Sequence, residues 1–298
     1  LLAKRWGIDP KRAHNTVQAT TQRGVRSMLK GSMHKRMPTN DRMMRYKRLP
    51  HPVFADTLIA GITSKRGNKY GQAYCSQYGW SRCHPIATKG KAHESLSLIF
   101  QRDGVPPRIV VDNSKEQSLG VFATKCREVD CYLRNTEPYS PWQMAAEGCI
   151  KNVKQDSARK MLMTSTPKTL WDHCIECQAL IRSHTALDIY GLQGQVPETI
   201  MMGETSDISN LCEYEWFEWV MYLNPNETYP EDKMRIGRYL GPAIDVGSAM
   251  TYKILCPTGN YVCRSTVRPW TASENTDPVL LKARDVFMVE AISNLGRG

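Results

Sequence analysis

No apolar run in this chain approaches the roughly 20 residues that cross a bilayer; the longest, near Val53 to Ile62, is interrupted by Asp56. No membrane partner is expected. Nor does any N-terminal segment pair a basic start with an apolar core and a small-residue cleavage site, so a reducing compartment is predicted. There the ten cysteines, scattered from Cys75 to Cys263, read as buried thiols rather than five bridges. Cys174 and Cys177 alone have a metal-like spacing, but they lie in a helical pattern, WDHCIECQALIRS, with no second pair at finger distance, and no zinc is expected. The absence of a glycine-rich phosphate loop sets aside a doubly wound nucleotide fold.

Acidic residues are scarce at one end. Residues 1–50 hold 13 Lys and Arg against Asp9 and Asp41, a net of +11 that equals the value for all 298 residues, while the rest balances at 27 against 27. Such an arm attracts polyphosphate by counterion release without reading sequence; a solvated basic tail is the alternative. Within it a short helical pattern breaks at Gly7, and Asp9 before Pro10 is a strong helix start. The second helix carries Lys11, Arg12, His14 and Asn15, a candidate helix-turn-helix for DNA.

An apolar content of 41% supports a core domain with small appendages. Residues 1–50 read as the basic arm, 51–190 as the core, 191–212 as a connecting segment, 213–270 as a small β-domain and 271–298 as a tail. In the core the predicted order is three strands (about 53–61, 69–77 and 81–87), a helix from about Gly90 to Arg102, a strand ending at Asp112, and a helix near Glu116 to Arg127. A short strand at Cys131 to Arg134 and a helix bearing Glu147 follow. Three strands before the first helix favour a mixed sheet with an antiparallel start. In the β-domain strands are predicted at Trp216 to Leu223, Arg235 to Leu240, Thr251 to Cys256 and Tyr261 to Val267.

Three acidic residues stand out by context. Asp56 sits in HPVFADTLIAGI and Asp112 ends RIVVD, both short β-branched stretches that read as buried strands, and Glu147 follows the turn-forming Pro138-Tyr139-Ser140-Pro141 where a helix begins. Between them lie 55 and 34 residues. Carboxylates are hard ligands, and two divalent cations roughly 4 Å apart suit in-line displacement at phosphorus. Lys151 and Lys154 fall four and seven positions after Glu147, on the same helix face, where they would meet phosphate; a solvated helix edge with Asp156, Arg159 and Lys160 is the bland reading. Tyr139 and Trp142 are candidates to stack on a displaced base. In the β-domain, Lys253, Arg264 and Arg268 offer a phosphate-binding surface or plain scaffolding.

Over most of residues 50–270 the chain resembles the integrase of copia-type long-terminal-repeat retrotransposons. The matching stretches are FADTLIAGITSKRGNKYGQAYCSQYGWSRCHPIATKGKA, Asp112-Asn113 with Glu116, Pro138 through Glu147, TPKTLWDHCIECQALIRSHTAL, and VPETIMMGETSDISNL. The resemblance implies an α/β, ribonuclease H-like core, a mixed five-stranded sheet with flanking helices. It also implies strand transfer of element 3′ ends into target DNA, with Asp56, Asp112 and Glu147 holding two Mg2+ (or Mn2+) ions. Implied partners are DNA, further copies of the chain and other polyprotein products, with residence in the nucleus after a cytoplasmic virus-like-particle stage.

Several features depart from the family pattern, among them a gap to Glu147 one residue shorter than is common. Met144 and Ala145 stand where Asn-Gly is usual, Gly148 falls in the first turns of a helix, and no cysteine precedes Cys75, so the N-terminal His-His-Cys-Cys zinc module is missing. The chain reads as a piece of a longer polyprotein. Two other functions fit the same residues, a catalytically inactive DNA-binding remnant and a ribonuclease H-like metal-dependent nuclease.

Overall fold

The structure, a computed structural model, describes residues 1–24, 46–112, 117, 120–137, 145–230, 232–247 and 250–296. Its first sheet is built around β1 (Val53–Ile59), whose β-branched run favours extended backbone. On one side β1 pairs antiparallel with β2 (Tyr70–Cys75), which pairs antiparallel with β3 (Ser81–Ile86). On the other it pairs parallel with β4 (Arg108–Val111), and β4 pairs parallel with β5 (Tyr132–Asn135). The order is therefore β3-β2-β1-β4-β5, the mixed, ribonuclease H-like sheet expected from the sequence.

Alternation along β1 sends side chains to two helical layers. Val53 and Ala55, with Ile109 and Val111, meet Leu96, Ile99 and Phe100 of α3 (Ala92–Arg102) and Phe122 and Cys126 of α4 (Gly120–Glu128). Leu58, Ala73, Cys75 and Cys83 meet Cys149, Ile150 and Val153 of α5 (Ala145–Met163) and Ile175 and Ala179 of α6 (Trp171–His184). The apolar run at Val53–Ile62 is thus a strand buried on both faces, interrupted where Asp56 points to the α5 side.

The second sheet is antiparallel, in the order β10-β6-β7-β8-β9, from β6 (Trp219–Leu223), β7 (Met234–Pro242), β8 (Tyr252–Leu255), β9 (Tyr261–Arg264) and β10 (Val267–Pro269). Tyr261 to Val267, expected as one strand, is two: β9 pairs with β8, and after Thr266 the chain crosses to pair β10 with β6 at the opposite edge. The segment read as a tail contains α8 (Pro278–Leu295), opened by an Asp277 cap onto the Val279 amide and a first-turn proline. Its Phe287, Ala291 and Leu295 enter the same core as Trp6, Cys174, Cys177 and Leu240.

The described part of the basic arm lies against the rest of the chain. α1 (Leu2–Trp6) ends at the left-handed Gly7, and α2 (Pro10–Ala19) begins under the Asp9 cap, whose carboxylate accepts from the Lys11 and Arg12 amides. Trp6 is buried and donates to the Leu211 carbonyl (3.0 Å), and Thr21 bridges to Asp207. Residues 25–45 fall outside the described part of the chain.

Helix α6 is buried nearly all round and serves as a wall common to both sheets. Its carboxylates are compensated accordingly. Asp172 accepts from Arg66 (2.7 Å) and Asn68 (2.9 Å) in the β1–β2 connection, while Glu176 accepts from Arg66 (3.1 Å) and from Lys253 of β8 (2.8 Å). Burial alone would raise the Glu176 carboxyl, but Lys253, Arg66 and His173 outweigh it and hold it well below the usual carboxylate range. A second buried set is built on Ser81 and Arg82: Ser81 donates to the Ala179 carbonyl (2.8 Å), and Arg82 pairs with Asp103 (2.8 Å) and with Glu198 (2.7 Å) of α7 (Pro197–Met202). Lys160, expected on a solvated edge, is buried instead, bound to the Arg5 carbonyl and Glu215 at 2.9 Å each. Cys174 and Cys177 pack in the shared core, where burial pushes the Cys177 thiol up to about 12.

Glu176→Gln leaves Lys253 and Arg66 without their shared counter-charge, and urea unfolding should show a loss of about 3 kcal/mol. Because the folded-state carboxyl is depressed, the wild-type advantage is full above the ordinary carboxylate value of about 4.3 and shrinks as pH falls below it. The two proteins' unfolding midpoints should therefore converge in acid.

Candidate active site

The parallel register of β1 and β4 matches Val53 with Ile109, Phe54 with Val110 and Ala55 with Val111. One step further places Asp56 beside Asp112, immediately past the end of β4, on neighbouring strands about 4.8 Å apart. Both therefore point to the face covered by α5. Glu147 lies in the first turn of α5, whose Cys149, Ile150 and Val153 press onto that same face. The helix N-terminus suits a carboxylate there. Sheet and helix thus bring residues far apart in sequence into one neighbourhood.

The other two carboxylates act on the ionisation of Asp56. Burial is the main cause that raises the Asp56 carboxyl above its ordinary value; a hydrogen bond from the Thr57 amide (2.6 Å) opposes it, the charges of Asp112 and Glu147 raise it further, and Lys89 lowers it. Asp56 is half-buried, whereas Asp112 and Glu147 are exposed. Thr136, just after β5, donates to Asp112 (3.4 Å). An all-oxygen donor set under mutual repulsion has the chemistry of a site for hard divalent cations. Even so, among the described residues no group of three or more His, Cys, Asp or Glu side chains is gathered tightly enough to hold an ion.

Behind Asp56, on the opposite face, is a network that sequence reasoning missed. Gln117 donates to Thr57 Oγ1 (2.9 Å) and to Gln72 Oε1 (3.1 Å), Thr57 donates to Gln72 Oε1 (2.8 Å), and Gln72 returns a bond to the Asp56 carbonyl (3.2 Å). Gln72 and Gln117 are fully buried, so these amides fix the backbone that aims Asp56. The available signal was Gln72 within a strand that is otherwise apolar or small. Lys89, after β3, was also missed; it is exposed, and its charge acts on Asp56.

The other expected residues divide. Lys151 and Lys154 are exposed along α5, and Lys154 lines a groove between that helix and Leu58–Ile62. Tyr139, with Trp142 and Asn113, lies outside the described residues. Lys11 is exposed on α2, but the Arg12 guanidinium is held by Asp188 (3.0 Å). Arg264 donates to the carbonyls of Leu223 (3.0 Å) and Cys263 (2.9 Å), Lys253 is paired with Glu176, and Arg268 binds Glu274 through two bonds (2.6 and 2.7 Å). All three cations are thus engaged within the fold.

No protein-family model and no curated protein matches the chain. Solved structures similar to it include a simian T-cell lymphotropic virus intasome in complex with PP2A regulatory subunit B56 gamma, 11% identical, covering 74% of this chain and 82% of that one with a TM-score of 0.40. The HTLV-2 integrase catalytic core domain in complex with magnesium (trimeric form) is 11% identical, covering 51% of this chain and 95% of that one, TM-score 0.39. The catalytic core domain of BIV integrase is 13% identical, covering 51% and 94%, TM-score 0.39.

Asp56 carries a pKa raised in the folded state, so its contribution to stability falls as pH rises through that window and the cost persists above it. Asp56→Asn should therefore raise the melting temperature at neutral pH without divalent ions. Mg2+ should stabilise the wild type in the same measurement and leave the variant unchanged. Gly148 is exposed and helical, and a Cβ there would meet nothing within 4 Å; Gly148→Ala should add about 1 kcal/mol in urea unfolding.

Proposed function

We propose that the chain is the integrase of a copia-type retrotransposon, a polynucleotidyl transferase that joins element 3′ ends to target DNA. The observation that carries this reading is the pairing of β1 with β4 under α5, which brings Asp56, Asp112 and Glu147 to one end of one sheet face. Asp56 would serve both of two Mg2+ (or Mn2+) ions, with Asp112 and Glu147 each holding one. Such ions, when bound, lower the pKa of an attacking hydroxyl and offset charge on the leaving oxygen.

The 3′ oxygen of the element forms a bond to a target phosphorus while the target's own P–O3′ bond breaks. One phosphodiester replaces another, so neither water nor a nucleotide is consumed. The chain's residues orient the participants. The Gln72–Thr57–Gln117 network holds the Asp56 backbone, Lys151 and Lys154 contact phosphates along α5, and Tyr139 would stack on a displaced base. Lys11 and the remaining cations of the arm add attraction that is independent of sequence. The protein works as an oligomer on paired DNA ends, in the nucleus after a cytoplasmic particle stage.

A second reading, a DNA-binding remnant without catalysis, is favoured by the departures clustered around Glu147, with Met144 and Ala145 in place of Asn-Gly and Gly148 in the first turns of the helix. Strand transfer with Mg2+ and a short duplex carrying the element end separates the readings. Joined products are expected; cleavage without joining indicates a nuclease, and binding alone a remnant. Asp112→Asn should abolish joining while leaving DNA binding in place. Lys151→Ala should weaken binding evenly across sequences and reduce the salt slope by about 1.

A further inference from the structure

Helix α8 has an unusual distribution of apolar side chains for a surface helix. Phe287, Ala291 and Leu295 fill the core, yet the opposite face carries Val279, Val286 and Val289, exposed by 75, 50 and 70%. A helix apolar on both sides is normally covered on both. Beside this face runs a groove of about 700 Å³ between α8 and the second sheet, floored by Met221, Ile236 and Phe287. No described element fills it.

The charges on this face identify the occupant. Lys282 and Glu290 lie four residues either side of Val286, both exposed, and neither forms an ion pair among the described residues. We propose that this face binds a second copy of the chain, with the two α8 helices antiparallel about a two-fold axis at Val286. In that register Val286 meets Val286, Ala283 meets Val289, and each Lys282 meets the Glu290 of the other copy. A parallel arrangement would set lysine on lysine and glutamate on glutamate. The two-fold contact is closed and uses one patch on both copies, so it limits itself to a pair. It is independent of the catalytic reading.

Sedimentation equilibrium of the full chain tests the contact. Lys282→Glu and Glu290→Lys should each weaken self-association about tenfold, and the double variant Lys282→Glu/Glu290→Lys should restore it to near the wild-type constant. Val286→Asp should weaken association more than either charge variant, with an unchanged melting temperature of the monomer showing that the fold is intact. A wild type that stays monomeric overturns the proposal, as do single variants that associate like the wild type or a double variant weaker than both singles.

Discussion

Parallel pairing of β1 with β4 is the constraint on which the site depends, because side chains in a strand alternate with a period of two and a slip of one residue turns every one of them to the other face. With Ala55 opposite Val111, Asp56 and Asp112 share a face; one residue out of register, Asp112 would face α3 and α4. What fixes the register is burial on both sides: Val53, Ala55, Ile109 and Val111 fill one core, and Leu58 with the base of α5 fills the other. The packing that stabilises the sheet is therefore the packing that opposes two carboxylates, and the raised Asp56 carboxyl is its consequence.

A second constraint joins the two sheets. Helix α6 has no solvent-facing side to spare, so Asp172 and Glu176 are retained in its buried surface only with Arg66, Asn68 and Lys253 around them. Removing any one partner is costly while the others remain. The same set explains why Lys253 of the second sheet, which looks available for phosphate in the sequence, is engaged within the fold. Exposed positive charge that acts on Asp56 comes instead from Lys89, while Lys151 and Lys154 are exposed along the helix that bears Glu147.

Much of this was legible in the sequence. The three opening strands, the strand ending at Asp112 and the helix bearing Glu147 follow from β-branched runs, turn residues and helical spacing, and the Asp9-Pro10 helix start works through local capping chemistry. Features set by tertiary contact were not legible. The split of Tyr261–Val267 between two sheet edges depends on which strands lie there, and the burial of Lys160 depends on Arg5 and Glu215, both distant in sequence. The amide network behind Asp56 joins residues from three separate segments, so no local pattern announces it. Helix α8 was passed over because its apolar residues face both ways, leaving no one-sided periodicity to read.

On the proposed reading, Asp56, Asp112 and Glu147 together would hold two divalent cations. Anomalous diffraction from crystals soaked in Mn2+ tests it most directly. Two peaks, each bridged to Asp56, with one against Asp112 and the other against Glu147, are the predicted result. Manganese bound elsewhere, or no density between the three carboxylates at saturating concentration, would contradict it.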